Sequence, residues 1–445
     1  MSWLSGSQGP GVPTFYIESY GCQMNLADSE IIGGALTERG YRPVAEPETA
    51  SVILLNTCAI RENAERRVAQ RVRQLIAARN DPGRVRIGLA GCMAQHHRDR
   101  LLERIPGLDF VVGPDGYRRL GDLLEADDPV AHVRLDPRET YEGIVPLRGE
   151  GPRAWVTIMR GCDRFCTFCV VPYVRGRERS LPAEVITTEV RQAAADGYRE
   201  VVLLGQTVNS YHDGSTDFGE LLRNCAAVEG IERVRFTSPH PADMTESAIA
   251  AMAECPEVCP YIHLPLQSGS DRILADMERG YTTGQYRALV AKLRSAIDEL
   301  AISTDIIVGY PGETENDFEA TSTLMNEIDF DHAFLFKYSR REATKAWNLE
   351  ETVSEEEKGV RLTRLIEEQE RRSAAWNQAF VGRKAEVLIE GSAKRQTGWL
   401  AGKNPQFKTV VFEPTRPGLR VGETVPVIIE AAGPHTLRGR ELASV

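Results

Sequence analysis

Three cysteines fall within eight positions of "RGCDRFCTFCVVP", Arg160 to Pro172. Cys162, Cys166 and Cys169 have CxxxCxxC spacing, and the next cysteine, Cys225, is more than fifty residues away. Structural zinc normally takes four protein ligands and draws them from CxxC pairs, but no second pair lies at finger-like spacing here. A cubane iron-sulfur cluster has an iron at each of its metal corners, and each wants a ligand. Three thiols therefore leave one corner for a small molecule. Three thiols on so short a glycine-containing loop point to metal or cluster binding rather than to buried structural cysteines. A second set is dispersed: Cys22 in "YGCQMN", Cys58 in "NTCAIREN" and Cys92 in "AGCMAQ", 36 and 34 residues apart.

The elements that must position these thiols are legible from periodicity. From about Phe15 to Leu147, short apolar runs ("FYIESYG", "SVILLNT", "RVRIGLAG", "DFVVGP") alternate with helix-period stretches ("LADSEIIGGALTERGY", "ENAERRVAQRVRQLIAARN", "HRDRLLERIP"). That grammar predicts a parallel sheet wrapped by helices. Cys22, Cys58 and Cys92 each lie just past the carboxyl end of a predicted strand and before a predicted helix, at the edge where open α/β sheets bind ligands. Each is one β-α unit further along, so the three can converge.

A second series runs from Ala154 to about Asn377, with strands "AWVTIMRG", "EVVLLGQ", "RVRFTSP", "YIHLPLQ", "ISTDIIVGYP" and "HAFLFKYS". Six β-α units suit a barrel or partial barrel with its active edge at the strands' carboxyl ends, and the CxxxCxxC cluster follows the first strand. A charged helix, "SEEEKGVRLTRLIEEQERRSAAWNQ", closes this part. From about Ala379 the chain turns to short β-rich pieces punctuated by Gly, Pro and Asn, the pattern of a small antiparallel barrel. From residue 378 onward there are ten Lys and Arg against six Asp and Glu. That local excess, on a chain of net charge -11, is the expected footprint of an RNA-binding module.

At 445 residues, two or three domains are expected. With 42% hydrophobic and 26% charged residues and no apolar run near the ~20 needed to span a bilayer, the expectation is a soluble, cytoplasmic protein without a membrane partner. The lead-in "MSWLSGSQGPGVPT" lacks the features of a secretory signal and is expected to be a loose tail. Nine cysteines in such a chain should be reduced thiols.

CxxxCxxC after the first strand of a six-unit β-α barrel resembles the radical S-adenosylmethionine (SAM) superfamily. "SYGCQMN", "NTCAIRENAE", "GCMAQ", "RGCDRFCTFCVVPYVRGRERS", "LLGQTVN", "HLPLQSGSDRIL" and "DIIVGYPGETE" follow one another in the order found in its methylthiotransferases, a likeness spanning Tyr16 to Arg440. The resemblance implies an N-terminal methylthiotransferase domain over 14–135, a radical SAM core over 148–377 and a TRAM RNA-binding domain over 378–445. It implies a 4Fe-4S cluster on Cys162, Cys166 and Cys169 whose open iron is chelated by SAM, with Phe168 near the adenine. It further implies a second 4Fe-4S cluster on Cys22, Cys58 and Cys92, also with one iron open. The first would cleave SAM to a 5′-deoxyadenosyl radical that activates a carbon, and the second would present sulfur to it. "CQMN" and "NTCAIRENAE" look most like the members that convert isopentenyladenosine next to the tRNA anticodon to its 2-methylthio derivative. Related members act on threonylcarbamoyladenosine in tRNA or on a ribosomal protein. An electron donor such as flavodoxin or ferredoxin, a sulfur donor or cluster-repair system, the tRNA anticodon loop and a monomeric state complete the expectation. From another class, an iron-sulfur RNA-binding or electron-transfer protein is disfavoured, since a pure carrier gains nothing from open irons.

Strand ends facing the CxxxCxxC loop should hold SAM, which makes Gln206, Asn209, Gln267 and Ser268 candidates for its polar groups, or loop-capping residues. Arg175, Arg177 and Arg179 could meet phosphate or the SAM carboxylate, or form a solvated run. Arg61, Arg66, Arg67, Arg71 and Arg73 suggest an RNA-facing stripe, or pairing with Glu62 and Glu65. Cys225, Cys255 and Cys259 read as buried thiols, and His240 and His263 as core or loop histidines. Where the family carries an "RPGTPA"-like stretch, Arg340 to Ala346 read "RREATKA", which puts that loop's shape in doubt.

Overall fold

A computed structural model describes residues 11–59, 62–79, 85–149 and 151–442. The lead-in through residue 10 and Arg61 lie outside them, as do the side chains of residues 62–64 and hence the pairing expected of Glu62. The chain forms two compact units. One comprises Met1–Glu150, Met159–Asp163 and Val170–Leu181, and the other Gly151–Ile158, Arg164–Cys169 and Pro182–Val445.

In the first unit the strands are β1 (Thr14–Ser19), β2 (Arg42–Pro43), β3 (Val52–Thr57), β4 (Arg86–Gly91), β5 (Phe110–Val112) and β6 (Val130–His132). All pair in parallel, in the order β2-β1-β3-β4-β5-β6. "VILLNT" is buried along its whole length, as expected of a parallel strand covered on both faces. Ile17, Leu54 and Val112 feed one core with Ile32 and Leu36 of α1 (Gln23–Glu38). Ile53, Leu55 and Leu89 feed the other with Val68, Val72 and Leu75 of α2 (Glu62–Ala78), at helical spacing. Each such side chain contributes about 1.5–3 kcal/mol on burial. The expected strands are present, and β2 and β6 add edges too short for periodicity to reveal.

The run "AWVTIMRG" is divided into β7 (Arg153–Thr157) and β8 (Met159–Arg160), and β8 pairs with β9 (Arg179–Ser180) in the first unit. The second unit continues with β10 (Glu200–Leu204), β11 (Arg233–Phe236), β12 (Tyr261–His263), β13 (Ala301–Val308) and β14 (His332–Lys337). Two parallel sheets, β7-β10-β11 and β12-β13-β14, meet through a single parallel bridge, Val234 to Val258. The six expected strands thus run in chain order as a partial barrel with a weak seam. The helix Glu355–Gln378 starts on a Ser354 cap that accepts from the Glu357 N–H, with three glutamates in its first turn. Beyond it, β15 (Lys384–Ser392), β16 (Leu400–Lys403), β17 (Thr409–Glu413), β18 (Thr424–Ala432) and β19 (Leu437–Glu441) close a barrel in the order β15-β16-β17-β19-β18. Its seams are antiparallel except β17–β19, which is parallel. Among the described residues no helix is long and apolar enough to cross a membrane.

Candidate cluster sites

Because β1, β3 and β4 are sheet neighbours, their carboxyl ends bring Cys22, Cys58 and Cys92 to one edge. Cys22 caps α1, and Cys92 opens α3 (Cys92–His97). Close approach requires glycine. A Cβ on Gly21, at φ +133°, would lie 2.5 Å from the Cys58 Cβ, and one on Gly91, at φ +90°, 2.3 Å from Asn56 Oδ1. Behind the thiols runs a buried amide ladder. Asn25 Nδ2 donates to Asn56 Oδ1 and Thr57 O (3.2 Å each), and Asn56 Nδ2 donates to Asn25 O (2.7 Å) and Ser29 Oγ (3.0 Å). Asn25 Oδ1 faces the Cys22 thiol at 3.4 Å.

A hydrogen bond with Cys58 pulls the Cys22 thiol down to about 6, against burial and with help from the Arg175 charge. Burial pushes Cys92 up, and Arg175 opposes it. Arg175 Nε donates to Cys92 Sγ at 3.1 Å, while its Nη2 reaches Asp28 Oδ2 at 2.7 Å. Asp28, fully buried in α1, also accepts from Arg160 Nη1 (3.1 Å) and the Tyr117 hydroxyl (3.2 Å). Burial raises the Asp28 carboxyl, but the two guanidiniums overturn that and hold it below its ordinary value. Arg179 grips both oxygens of Asp115 at 2.9 and 3.1 Å. Arg175 and Arg179 therefore form neither a solvated run nor an exposed anion site, and Arg177, paired with Asp163, is the exposed member. In α2, Arg71 is taken up by Glu18 (2.6 Å) and Glu65 pairs with His97 (3.2 Å), so the expected stripe keeps Arg66, Arg67 and Arg73 as its exposed members.

On the CxxxCxxC loop, the Cys162 N–H donates to Gly176 O (3.1 Å) in the first unit. In the second, the Cys169 N–H donates to Cys166 O (2.9 Å). Arg279, buried, donates from Nη1 to Cys166 Sγ (3.2 Å), from Nη2 to Pro265 O (3.2 Å) and from Nε to the Tyr281 hydroxyl (3.2 Å). Between the cysteines, the Thr167 N–H donates to Met277 O (3.1 Å), and the Thr167 hydroxyl meets that of Tyr310 (2.7 Å). Phe168 packs on Ile273, Met277, Tyr310 and Ala346. Gln206 follows β10, half-buried. Gln267 has φ +73°, and its buried Oε1 has no partner, leaving an acceptor for an incoming donor. Both ends of the Asn209 amide are engaged by His240, donating to its carbonyl (2.8 Å) and accepting from its N–H (2.7 Å). Ser268, fully buried, accepts from the Ser270 N–H (3.2 Å). Asn209 and Ser268 brace their loops.

These donor sets fit iron-sulfur clusters. Each is thiol only, and each carries a buried guanidinium on one sulfur. Cys225 and Cys259 are buried and Cys255 half-buried, all free thiols.

Residues 156–325 match the radical SAM superfamily, residues 14–113 the family described as uncharacterized protein family UPF0004, and residues 378–442 the TRAM domain. A tRNA-2-methylthio-N(6)-dimethylallyladenosine synthase of Carboxydothermus hydrogenoformans is 44% identical over 408 residues, covering 90% of this chain and 93% of that protein. One of Porphyromonas gingivalis is 45% identical over 437 residues, covering 95% and 94%. The chain belongs to the tRNA-2-methylthio-N(6)-dimethylallyladenosine synthase family. Its fold is similar to that of the radical SAM methyltransferase TsrM from Kitasatospora setae, with a TM-score of 0.56 and 13% identity over 76% of this chain and 74% of that one.

In this family member, the residues that sequence reasoning passed over are the polar groups behind the cysteines: Asn25, Asp28, Asn56, Arg160 and Arg279. A signal existed for two of them. Asn25 and Asn56 sit inside the quoted "CQMN" and "NTC", and an Asn at the end of an apolar strand wants a partner. Asp28 to Arg175 spans 147 positions and had none.

Proposed function

We propose that this protein is a radical SAM methylthiotransferase that converts isopentenyladenosine next to the tRNA anticodon to its 2-methylthio derivative. The observation that carries the reading is two all-thiol sets, one on a single loop and one gathered from three adjacent strand ends. Bound there, two 4Fe-4S clusters and SAM supply the electron, the radical and the sulfur that no amino-acid side chain provides for an unactivated adenine carbon.

The protein's own contribution is position and charge. Cys162, Cys166 and Cys169 would hold one cluster and Cys22, Cys58 and Cys92 the other. Arg279 and Arg175 each fix one sulfur of a set. Phe168 offers an aromatic face for the SAM adenine, Gln267 Oε1 an acceptor for its amino group, and Gln206 a further polar contact. Asn209 and Ser268 hold the loops that carry them. Modules over 14–135, 148–377 and 378–445 divide the work into sulfur delivery, radical generation and RNA capture. In the last, Arg438 lies over Trp399 at 4.5 Å, a platform suited to nucleotides. A flavodoxin or ferredoxin as electron donor, a separate sulfur donor or cluster-repair system, a monomeric state and a cytoplasmic site of action complete the proposal.

The test is nucleoside analysis of tRNA from cells lacking the protein. The 2-methylthio-isopentenyladenosine should vanish, its isopentenyladenosine precursor accumulate, and the wild-type chain but not Cys58→Ala restore it. Unchanged 2-methylthio-isopentenyladenosine would reject the substrate.

A further inference from the structure

Arg175 ends the helix Val171–Arg175 and is 3% exposed. Its Nε is committed to Cys92 Sγ and its Nη2 to Asp28, but its Nη1 is buried without a hydrogen-bond partner. Leaving a buried donor unmade is costly, and more so on a charged group. Arg279 makes the same thiol contact at Cys166, yet all its nitrogens are engaged, by Cys166, Pro265 and Tyr281. The two guanidiniums thus differ: that of the dispersed set is paired with a carboxylate and keeps one donor, Nη1, unbonded.

The charge count runs the same way. Asp28 is shared between Arg160 and Arg175, so these three groups leave one positive charge beside Cys92. A cluster ligated by three thiolates is a net anion, and an anionic sulfur ligand on its open iron adds to that charge. A lysine could not replace the arginine, because one ammonium cannot reach a thiol sulfur and a carboxylate oxygen from separate nitrogens and still present a third.

We propose that Arg175 is the positioning residue for the anionic sulfur ligand, hydrosulfide or a small thiolate, on the cluster held by Cys22, Cys58 and Cys92. This rests on the reading that those thiols hold a cluster. Nε and Nη2 lock the guanidinium against Cys92 and Asp28, and Nη1 donates to the exogenous sulfur. No bond to carbon is made or broken in this step; sulfur is held as an anion on iron.

The experiment uses the full chain with Cys162, Cys166 and Cys169 replaced by Ala, so that a single cluster loads, and probes it with sodium hydrosulfide. The readouts are iron content, midpoint potential by EPR-monitored titration, and the hydrosulfide concentration that half-saturates the EPR change. R175Q should keep about four irons, shift the midpoint to more negative potential and weaken hydrosulfide binding roughly tenfold or more, the loss seen when the hydrogen-bond partner of a metal ligand is removed. R175K should retain most of the midpoint but lose the hydrosulfide affinity, and R279Q should change neither. If R175Q fails to load, R175K decides. Hydrosulfide affinity unchanged in a loaded Arg175 variant overturns the proposal and leaves the function standing, whereas a parent that loads no cluster at Cys22, Cys58 and Cys92 refutes the function itself.

Discussion

Gly21 precedes a cysteine at positive φ, and there a methyl group cannot be accommodated. Gly21→Ala puts a carbon 2.5 Å from the Cys58 Cβ and 2.6 Å from Asn25 Oδ1, a Cβ and a hydrogen-bonded amide rather than a flexible side-chain tip. We expect this variant to lose about half its iron, one cluster's worth. Gly40→Ala shares the positive φ (+84°) but meets nothing within 4 Å and should keep full iron. The thiols of the metal-free chain offer a second check. Cys22 is drawn down to about 6 by Cys58 first and Arg175 after it, against burial. Its alkylation by iodoacetamide should therefore rise with a midpoint near pH 6, well below the ordinary thiol value of about 8.5. The grouping of the cysteines was legible because loop spacing sets one trio and parallel strand order the other. The pairing of Asp28 with Arg160 and Arg175 was not, because a buried ion pair joins residues far apart in the chain and leaves no local period. The arginines of "VRGRERS" illustrate the limit: the sequence suggested phosphate, the SAM carboxylate or solvent, and burial places Arg175 and Arg179 on carboxylates of the chain itself.

Among elements, strands with long apolar runs were legible, and the convergence of Cys22, Cys58 and Cys92 followed from parallel order alone. Unread were β2 and β6, which have no periodicity to detect, and the single-bridge seam between β11 and β12, which depends on packing and not on local pattern. The loop from Arg340 to Ala346, doubtful for want of Gly and Pro, is ordered as follows. Ala343 adopts φ +71°, Thr344 Oγ1 donates to Arg341 O (2.7 Å), and the Ala346 N–H donates to Thr167 O (2.8 Å), beside Phe168. A left-handed alanine is strained by about 1 kcal/mol. Ala343→Gly should stabilise the chain by about that amount in chemical denaturation, without changing iron content. A destabilised variant would mean that alanine's smaller unfolded-state entropy outweighs the strain.

At the scale of the molecule, the alternation of apolar runs and the late change to short β pieces announced the fold class. How the C-terminal barrel packs against the rest of the second unit was invisible, since it depends on backbone carbonyls. Arg235 donates to Asn404 O and Pro405 O (2.8 Å each) and to Glu200 (2.8 Å), and Arg233 donates to Lys403 O (2.7 Å) and Glu386 O (2.9 Å). Arg235→Ala leaves two carbonyls unmet and loosens a buried charge cluster, for a loss of about 3 kcal/mol. Hydrogen exchange should show the 404–408 amides deprotected, with those of β3 and β4 unchanged. The central claim, that separate thiol sets hold separate clusters, is tested most directly by iron per chain after anaerobic reconstitution. The account predicts about eight irons in the wild type, and about four when either Cys22, Cys58 and Cys92 or Cys162, Cys166 and Cys169 are replaced by Ala. Zinc in place of iron, or about four irons in the wild type and none after loss of either set, would contradict it.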